Sequence, residues 1–158
     1  MNYWLLKSDE NEYSVSDLIK DGTTIWEGVR NYQARNFIKI MKKKDLVFFL
    51  QVKSKHPGIY ALCEVVKEAY PDPTQFDQKS KYFDPRSLGA RSSKQIWLTF
   101  DIKFIRRFFI DYRDLKRVLA GNKYFTLQFR LSVVPLSDTE AAELLRLSKK
   151  EDTFAGFN

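Results

Sequence analysis

Apolar residues recur along the chain with two different periods, which predicts a mixture of strands and helices. The first run, NYWLLK at 2–7, is largely apolar on both faces, as is typical of a strand buried between two layers. Two further strand-type runs, DLVFFLQV at 45–52 and GIYALCEVV at 58–66, are separated by a polar loop. Strands of varied length interrupted by short helices favour a small mixed barrel or sheet over a doubly wound fold.

The clearest strand signal is QIWLTFDIKFI at 95–105, where side chains alternate between two faces. The apolar face carries Ile96, Leu98, Phe100, Ile102 and Phe104. The other face carries Trp97, Thr99, Asp101 and Lys103. This pattern predicts that Trp97 lies off the main core face.

Helical segments are indicated by boundary residues and by spacing. SVSDLIKDG begins with a capping serine and ends at Gly22, and DYRDLKRVLAGN ends at Gly121. SDTEAAELLRLSKK is predicted to be a C-terminal helix capped by Ser137. A further helix is predicted from the i, i+3, i+4, i+7 spacing of Ala34, Phe37, Ile38 and Met41.

The segment at 70–94 contains three prolines and has no sustained period. A connection of this length in a compact domain is usually a functional loop or a disordered one. Its aromatic residues, Phe76, Tyr82 and Phe83, favour a folded lid or rim over a floppy insert. Its aspartates stand beside or near prolines, which is first of all turn chemistry.

Length and composition predict a single domain over 1–158, with a tail at 149–158 that frays. No apolar run reaches membrane-spanning length, and the N-terminus lacks the order of a signal peptide. The single cysteine, Cys63, excludes an intramolecular disulfide. We therefore expect a soluble, monomeric protein of the cytoplasm, or of the nucleus in a eukaryote.

The formal net charge of +7 favours a polyanionic partner. Basic residues are concentrated between Lys103 and Arg130, and Arg30, Arg35 and Lys39 add to them. Such a run forms either a solvated face or a surface that follows phosphates.

Catalytic chemistry is scarce in this sequence. The only histidine, His56, is predicted to lie in a solvated loop, and Cys63 is predicted to be a small core residue. One histidine and one cysteine make a zinc site implausible, and a nucleophile would lack a base. No phosphate-binding glycine motif occurs. We expect no catalytic residues, no metal and no cofactor.

The stretch WEGVRNYQARN at 26–36 holds more planar, hydrogen-bonding side chains than a helix start needs. Aromatic rings stack on bases, and amides read base edges. Together with YWLLKS, EYS, EVVKEAYPDPTQFD, KYFDP and RLSVVPLS, this stretch resembles the EVE domain family of the PUA-like superfamily, which also contains YTH and ASCH domains. The resemblance implies an α+β fold, a small mixed β-barrel or sheet flanked by short helices. It also implies a pocket for a modified nucleobase, such as a modified cytosine in DNA.

By this resemblance, Trp26 and residues 30–36 line the pocket mouth, while the end of the first strand forms its floor. The implied ligand-binding residues are Trp4, Lys7, Ser8, Trp26, Arg30, Asn31, Tyr32, Gln33, Arg35, Asn36, Gln51, Tyr82 and Trp97.

The implied roles follow side-chain chemistry. Trp4 or Trp26 stacks on the base, and Tyr82 and Trp97 are rim aromatics. The groups that read the base edge are Ser8, Asn31 and Gln33. The cations that meet phosphate or a carbonyl are Lys7, Arg30 and Arg35.

Four of these residues have structural alternatives. Trp4 is equally well explained as a core residue, and Asn31 as a helix N-cap. Arg35 could pair with Glu27 or Asp45, and Lys7 could extend to solvent. In addition, the family's Tyr-His-Ser after the third strand is here Leu50, Gln51 and Val52. If these positions face the pocket, the ligand preference is altered.

Three functions remain open at this point. The first is a non-enzymatic DNA- or RNA-binding domain that recognises a modified, flipped base. The second is a nucleotide- or RNA-processing enzyme of the ASCH kind. The third is a protein-interaction module with a vestigial pocket.

Overall fold

The structure, a computed structural model, describes residues 1–88, 97–127 and 130–150. Its strands are β1 (Tyr3–Asp9), β2 (Thr23–Ile25), β3 (Leu46–Val52), β4 (Gly58–Pro71), β5 (Leu98–Asp111) and β6 (Val133–Leu136). Its helices are α1 (Val15–Asp21), α2 (Tyr32–Ile40), α3 (Tyr112–Val118), α4 (Lys123–Leu127) and α5 (Asp138–Lys150). Two short 3₁₀ turns, Pro73–Phe76 and Pro85–Ser87, lie between β4 and β5.

The six strands form one mixed sheet in the order β2-β5-β4-β3-β1-β6. β1 pairs in parallel with β3 and antiparallel with β6, so both of its edges are hydrogen-bonded. Trp4, Leu5 and Leu6 alternate between its two faces and are all buried, as the apolar pattern on both faces predicted. Within the described residues the sheet stays open, with β2 and β6 at its edges. The predicted α+β class, a mixed sheet flanked by short helices, is confirmed.

The long strands β4 and β5 extend past their predicted ends. Their antiparallel ladder contains four register shifts, and it continues to Pro71 on β4 and to Asp111 on β5. Bulges of this kind interrupt strict alternation, so sequence periodicity ends before the pairing does. Positions 95 and 96 of the predicted strand lie outside the described residues.

The predicted N-caps of α1, α2 and α5 and the predicted end of α1 at Gly22 are observed. The predicted helix end at Gly121 is wrong, because α3 ends at Val118 with Leu119 as its C-cap. Asn31 Oδ1 accepts the N–H of Ala34 (2.9 Å), which makes Asn31 the N-cap of α2. Ser137 caps α5, because its hydroxyl accepts the N–H of Glu140 (3.1 Å). The apolar stripe of α2 packs on the core as predicted, with Ala34 and Ile38 fully buried. Among the described residues, no helix is long and apolar enough to cross a bilayer.

Candidate nucleobase-binding site

A cavity of about 710 Å³ opens where the end of β1 meets the β2–α2 linker and the loop after β4. The volume falls within the range of about 300–1,000 Å³ that is usual for ligand pockets. Its lining comes from distant parts of the chain: residues 7–9, 12–13, 24–31, 81–82, 130 and 132. The cavity therefore exists only once the sheet and the loop have come together.

Trp26 forms a fixed aromatic wall of this cavity. Its ring packs edge-to-face on Tyr13, with centroids 5.7 Å apart, and on Phe49 at 6.0 Å. Its backbone N–H donates to the carbonyl of Phe100 (2.8 Å), and its own carbonyl accepts the hydroxyl of Thr99. Both the backbone and the ring of Trp26 are thus held by the sheet, although the side chain stays partly exposed.

Arg30 joins the β2–α2 linker to the loop after β4. Its Nε and Nη2 donate to the carbonyl of Tyr82 (3.2 and 2.6 Å), and Nη2 also donates to Thr74 Oγ1 (3.1 Å). Its Nη1 donates to Asp72 Oδ2 (3.1 Å) and to the carbonyl of Val29 (3.0 Å). A guanidinium has five N–H donors, and these five bonds use all of them. The side chain of Arg30 thus directs its donors at protein acceptors and holds the cavity wall, and its contact with a phosphate or a carbonyl of a ligand stays a prediction.

Asp72 is the fully buried partner of Arg30. Burial alone raises the pKa of a carboxyl, but hydrogen bonds from Thr74, Gly28 and Arg30 together hold the pKa of Asp72 below its usual value. Its Oδ2 accepts the N–H of Gly28 (2.8 Å), and its Oδ1 accepts the N–H of Thr74 (2.8 Å). Asp72 is thus a buried anion that fixes both the linker and the loop.

The described part of the long loop, residues 72–88, is folded around buried polar side chains. The amide of Gln75 donates to the carbonyls of Asp72 and Trp97 (both 2.9 Å) and accepts the hydroxyl of Ser87 (2.9 Å) and the N–H of Trp97 (3.1 Å). Asp84 accepts the indole N–H of Trp97 (2.8 Å). The loop therefore forms part of the cavity rim, while its functional role stays a prediction. Residues 89–94 of the predicted loop and the predicted tail from residue 151 lie outside the described residues.

Gly28 allows the loop to approach the linker closely. It has a left-handed φ of +87°, and a Cβ atom placed on it would lie 2.5 Å from Cζ of the Tyr82 ring. Contacts below about 3 Å are not tolerated without displacement, so only glycine permits the ring to sit here. Gly28 consequently sets the position of Tyr82 at the rim.

We expect Gly28→Ala to destabilise the protein more than Gly22→Ala does. Both glycines have positive φ, but a Cβ on Gly22 (φ +72°) meets nothing within 4 Å. Each substitution carries about 1–2 kcal/mol of backbone strain, and only the first adds the collision with Tyr82. Urea denaturation of both variants measures the difference between their free energies of unfolding. Adding Tyr82→Ala to Gly28→Ala removes the collision and should recover most of that difference. Equal losses at the two glycines would show that the Tyr82 contact has no energetic weight.

Charged groups of both signs face the cavity. Burial lowers the pKa of Lys7, whose Nζ lies 5.4 Å from the centre of the Phe125 ring. Burial, followed by repulsion from Asp72, raises the pKa of Glu27. Lys81 Nζ donates to Glu12 Oε1 (3.0 Å) at the exposed rim. The cavity can therefore present both donors and acceptors to a ligand.

The structure brings six of the implied ligand-binding residues to the cavity, namely Lys7, Ser8, Trp26, Arg30, Asn31 and Tyr82. The other seven lie outside its lining: Trp4, Tyr32, Gln33, Arg35, Asn36, Gln51 and Trp97. The ligand contacts of the first group stay predictions. Ser8 has already committed its hydroxyl proton to the carbonyl of Tyr13 (2.6 Å).

The floor position predicted for Trp4 is wrong. Its side chain is 2% exposed, its indole N–H donates to Asp45 Oδ2 (3.1 Å), and its ring packs 5.9 Å from that of Phe37. Trp4 lies in the middle of β1, whose central residues all point into packed layers, so the core alternative is the one that the structure supports.

Four residues expected at the mouth lie on α2 and outside the cavity lining, which extends along the chain only to the N-cap residue Asn31: Tyr32, Gln33, Arg35 and Asn36. The ring of Tyr32 stacks on that of Trp97 at 4.9 Å, and the guanidinium of Arg35 lies 5.1 Å from the Tyr32 ring.

Trp97 is 2% exposed and lies outside the main core cluster, as its strand position predicted. It is buried beneath the loop rather than at an open rim.

The family departure at Leu50, Gln51 and Val52 lies outside the cavity lining. Leu50 is fully buried, and the Gln51 side chain accepts the backbone N–H of Val15 (2.9 Å). Gln51 thus holds the start of α1 in place. Because these three positions do not face the cavity, the departure gives no reason to expect an altered ligand preference.

Sequence reasoning missed several lining residues, among them Tyr13, Glu27 and Lys81. Tyr13 and Glu27 each stand inside a quoted motif, EYS and WEGVRNYQARN, so their motif membership was the available signal. Lys81 likewise stands inside the quoted motif KYFDP, although only the folded loop brings its side chain to the cavity.

The part of the basic run that follows β5 is partly neutralised by nearby aspartates. Arg113 pairs with Asp111 (3.3 Å) and Arg117 with Asp114 (2.6 Å), which favours a solvated face for that part. Arg130, at the far end of the run, lines the cavity.

Comparison with known proteins identifies the family. The EVE domain model matches residues 2–147. Thymocyte nuclear protein 1 of Mus musculus is 38% identical over 173 aligned positions, which cover 95% of this chain and 75% of that protein.

Two solved structures share the fold over nearly their whole length. A hypothetical protein from Leishmania major superposes with a TM-score of 0.85 at 41% identity, covering 96% of this chain and 97% of its own. Human THYN1 protein, in complex with 5-methylcytosine containing DNA, gives a TM-score of 0.83 at 35% identity, covering 96% of this chain and 99% of its own. The chain belongs to the EVE domain family.

Proposed function

We propose that this protein binds nucleic acid and holds a modified base, such as a modified cytosine, flipped into the 710 Å³ cavity. The observation that carries the proposal is the rigid construction of the cavity: Trp26 is fixed by the sheet, and the rim is fixed by the buried Arg30–Asp72 pair. The human relative in complex with 5-methylcytosine containing DNA supports the choice of ligand.

Stacking on Trp26 compensates for the cost of base flipping in this proposal. Base–aromatic stacking is worth roughly 1–3 kcal/mol per base, and extracting a base from a duplex costs a few kcal/mol. Stacking on Trp26 therefore offsets a substantial part of the flipping cost. A preformed wall adds to this, because no side chain has to be ordered when the base enters.

Two side chains are suited to reading the base edge. The carboxylate of Glu27 can accept from the exocyclic amino group of cytosine, which is the usual pairing of an acid with that base. Asn31 uses its Oδ1 to cap α2, and within residues 1–88, 97–127 and 130–150 its Nδ2 makes no hydrogen bond. Nδ2 can thus donate to a ring nitrogen or carbonyl of the ligand.

Binding without turnover is the better-supported form of the proposal. The Cys63 thiol lies in the core, and burial raises its pKa to about 12. His56 lies in an exposed loop between β3 and β4. For a eukaryotic host we propose a nuclear location by analogy with thymocyte nuclear protein 1, whereas the monomeric state stays a prediction.

We expect a tenfold or greater preference for one modified base in fluorescence-anisotropy titrations. The probes are matched single- and double-stranded oligonucleotides that carry cytosine, methylcytosine, hydroxymethylcytosine or a modified adenine, each at two salt concentrations. Tenfold corresponds to about 1.4 kcal/mol. Equal, salt-sensitive binding to every probe would reduce the function to phosphate attraction. In that case the logarithm of the binding constant falls with the logarithm of the salt concentration, with a slope of about −0.9 per phosphate contact on duplex DNA. Turnover of any probe would instead support an enzyme.

A further inference from the structure

A second cavity of about 270 Å³ lies beside the first. The two cavities share Arg30, Lys81 and Tyr82 in their linings, so the wall between them is one layer of side chains. The far side of the second cavity is formed by Asp84, Arg86 and Trp97. A strand that delivers a base to the first cavity across this shared wall passes the second cavity.

The shared wall is rigid. The carbonyl of Tyr82 accepts two N–H groups of Arg30, and the Tyr82 ring sits against Gly28. The spacing between the two cavities is therefore set by the fold and not by the ligand.

Arg86 differs from Arg30 in the number of guanidinium N–H groups that remain without a protein acceptor. Its Nε and Nη2 donate to Asp84 (3.2 and 2.9 Å), and its Nη1 donates to the hydroxyl of Tyr32 (3.3 Å). Within the described part of the chain, these bonds use three of its five N–H groups, and the side chain is 62% exposed. Arg86 thus retains donors for an external anion, as Arg30 does not.

The lining selects a phosphate and not a second base. The Trp97 ring is 2% exposed and is covered by Tyr32, so it offers no free face for stacking. The acid Asp84 is already compensated, since hydrogen bonds from Arg86 and then from Trp97 hold its pKa well below the usual range. Lys81, 62% exposed, adds a second cation at the shared wall.

We propose that the second cavity binds the phosphodiester of the nucleotide next to the flipped base, with Arg86 and Lys81 as its contacts. This inference rests on the proposed function and adds to it a defined backbone subsite. A phosphate held here fixes the register of the strand, while the base in the first cavity provides specificity.

The test is a series of oligonucleotides that carry the preferred base and one neutral methylphosphonate at each successive flanking position. Since hydrogen bonds to charged groups are the strong ones, we expect wild-type binding to fall about tenfold at one flanking position. In Arg86→Ala the same substitution should have little further effect, because the contact is already lost. Lys79→Ala, an exposed lysine of the same loop outside both linings, should leave the wild-type pattern intact.

The outcomes separate this inference from the proposed function. Equal losses at every phosphate, or full additivity between Arg86→Ala and the neutral phosphate, would overturn the subsite even if the base preference holds. Absence of any base preference in the wild type would instead overturn the proposed function. If Arg86→Ala melts below the wild type, Lys81→Ala provides the second test, since its pair with Glu12 is exposed on both sides (62% and 55%).

Discussion

Arg30→Ala should lower the free energy of unfolding by about 3 kcal/mol, because it leaves the buried carboxylate of Asp72 without its cation. Asp72 is fully buried, and Arg30 is 22% exposed, so solvent cannot replace the lost charge. The substitution also removes both donors to the carbonyl of Tyr82. Urea denaturation followed by circular dichroism measures the loss.

Two control variants identify the cause of this loss. Arg113→Ala removes an arginine whose pair with Asp111 is 87% and 38% exposed, and it should change stability by no more than about 0.5 kcal/mol. Adding Asp72→Asn to Arg30→Ala should recover part of the loss, since the unpaired charge is then gone. If Arg30→Ala and Arg113→Ala prove equally mild, the Arg30–Asp72 pair does not hold the rim.

Trp26→Ala should weaken binding to the preferred base by about 10- to 100-fold, the equivalent of one lost stacking interaction. Binding to an oligonucleotide with an abasic site at the same position should change far less, because only phosphate contacts remain there. The ratio of the two losses, measured by fluorescence anisotropy, isolates the stacking role. An equal loss on both probes would exclude it.

The packing of Trp26 on Tyr13 and Phe49 requires a check on folding. Trp26→Phe keeps an aromatic ring in that packing and should show an intermediate loss of base binding. Tyr60→Ala removes a half-buried ring that packs on Phe109 (5.0 Å) outside both cavities, and it should leave the base preference unchanged. A comparable loss of preference in Tyr60→Ala would mean that general destabilisation explains the Trp26 result.

The internal role of Arg30 changes how the WEGVRNYQARN stretch is understood. Its abundance of hydrogen-bonding groups serves mainly construction: Gly28 and Arg30 fix the loop, and Asn31 caps α2. Trp26 and Glu27, at its start, and the Nδ2 group of Asn31 are left to face a ligand. The stretch builds the cavity and also supplies part of its lining.

The sequence by itself determined the fold class and the longer elements, whereas the short elements β2, β6 and α4 were not predicted from it. The double apolar faces of β1, the stripe of Ala34 and Ile38 on α2 and the cap at Ser137 are local patterns, and local patterns survive folding unchanged. The motif blocks likewise sufficed for the family, because their composition is unusual over a long span. Trp97 was correctly predicted to lie off the main core face from strand alternation alone.

Only the tertiary structure decided which of these residues meet at the cavity. Asp72 and Tyr82 are 42 and 52 positions from Arg30, and no local pattern shows that the arginine spends all five donors on its neighbours. Trp4 and Trp26 carry the same side chain, yet one is buried beside Phe37 of α2 and the other borders an opening. Exposure and donor occupancy depend on contacts between distant segments, and these contacts exist only in the folded chain.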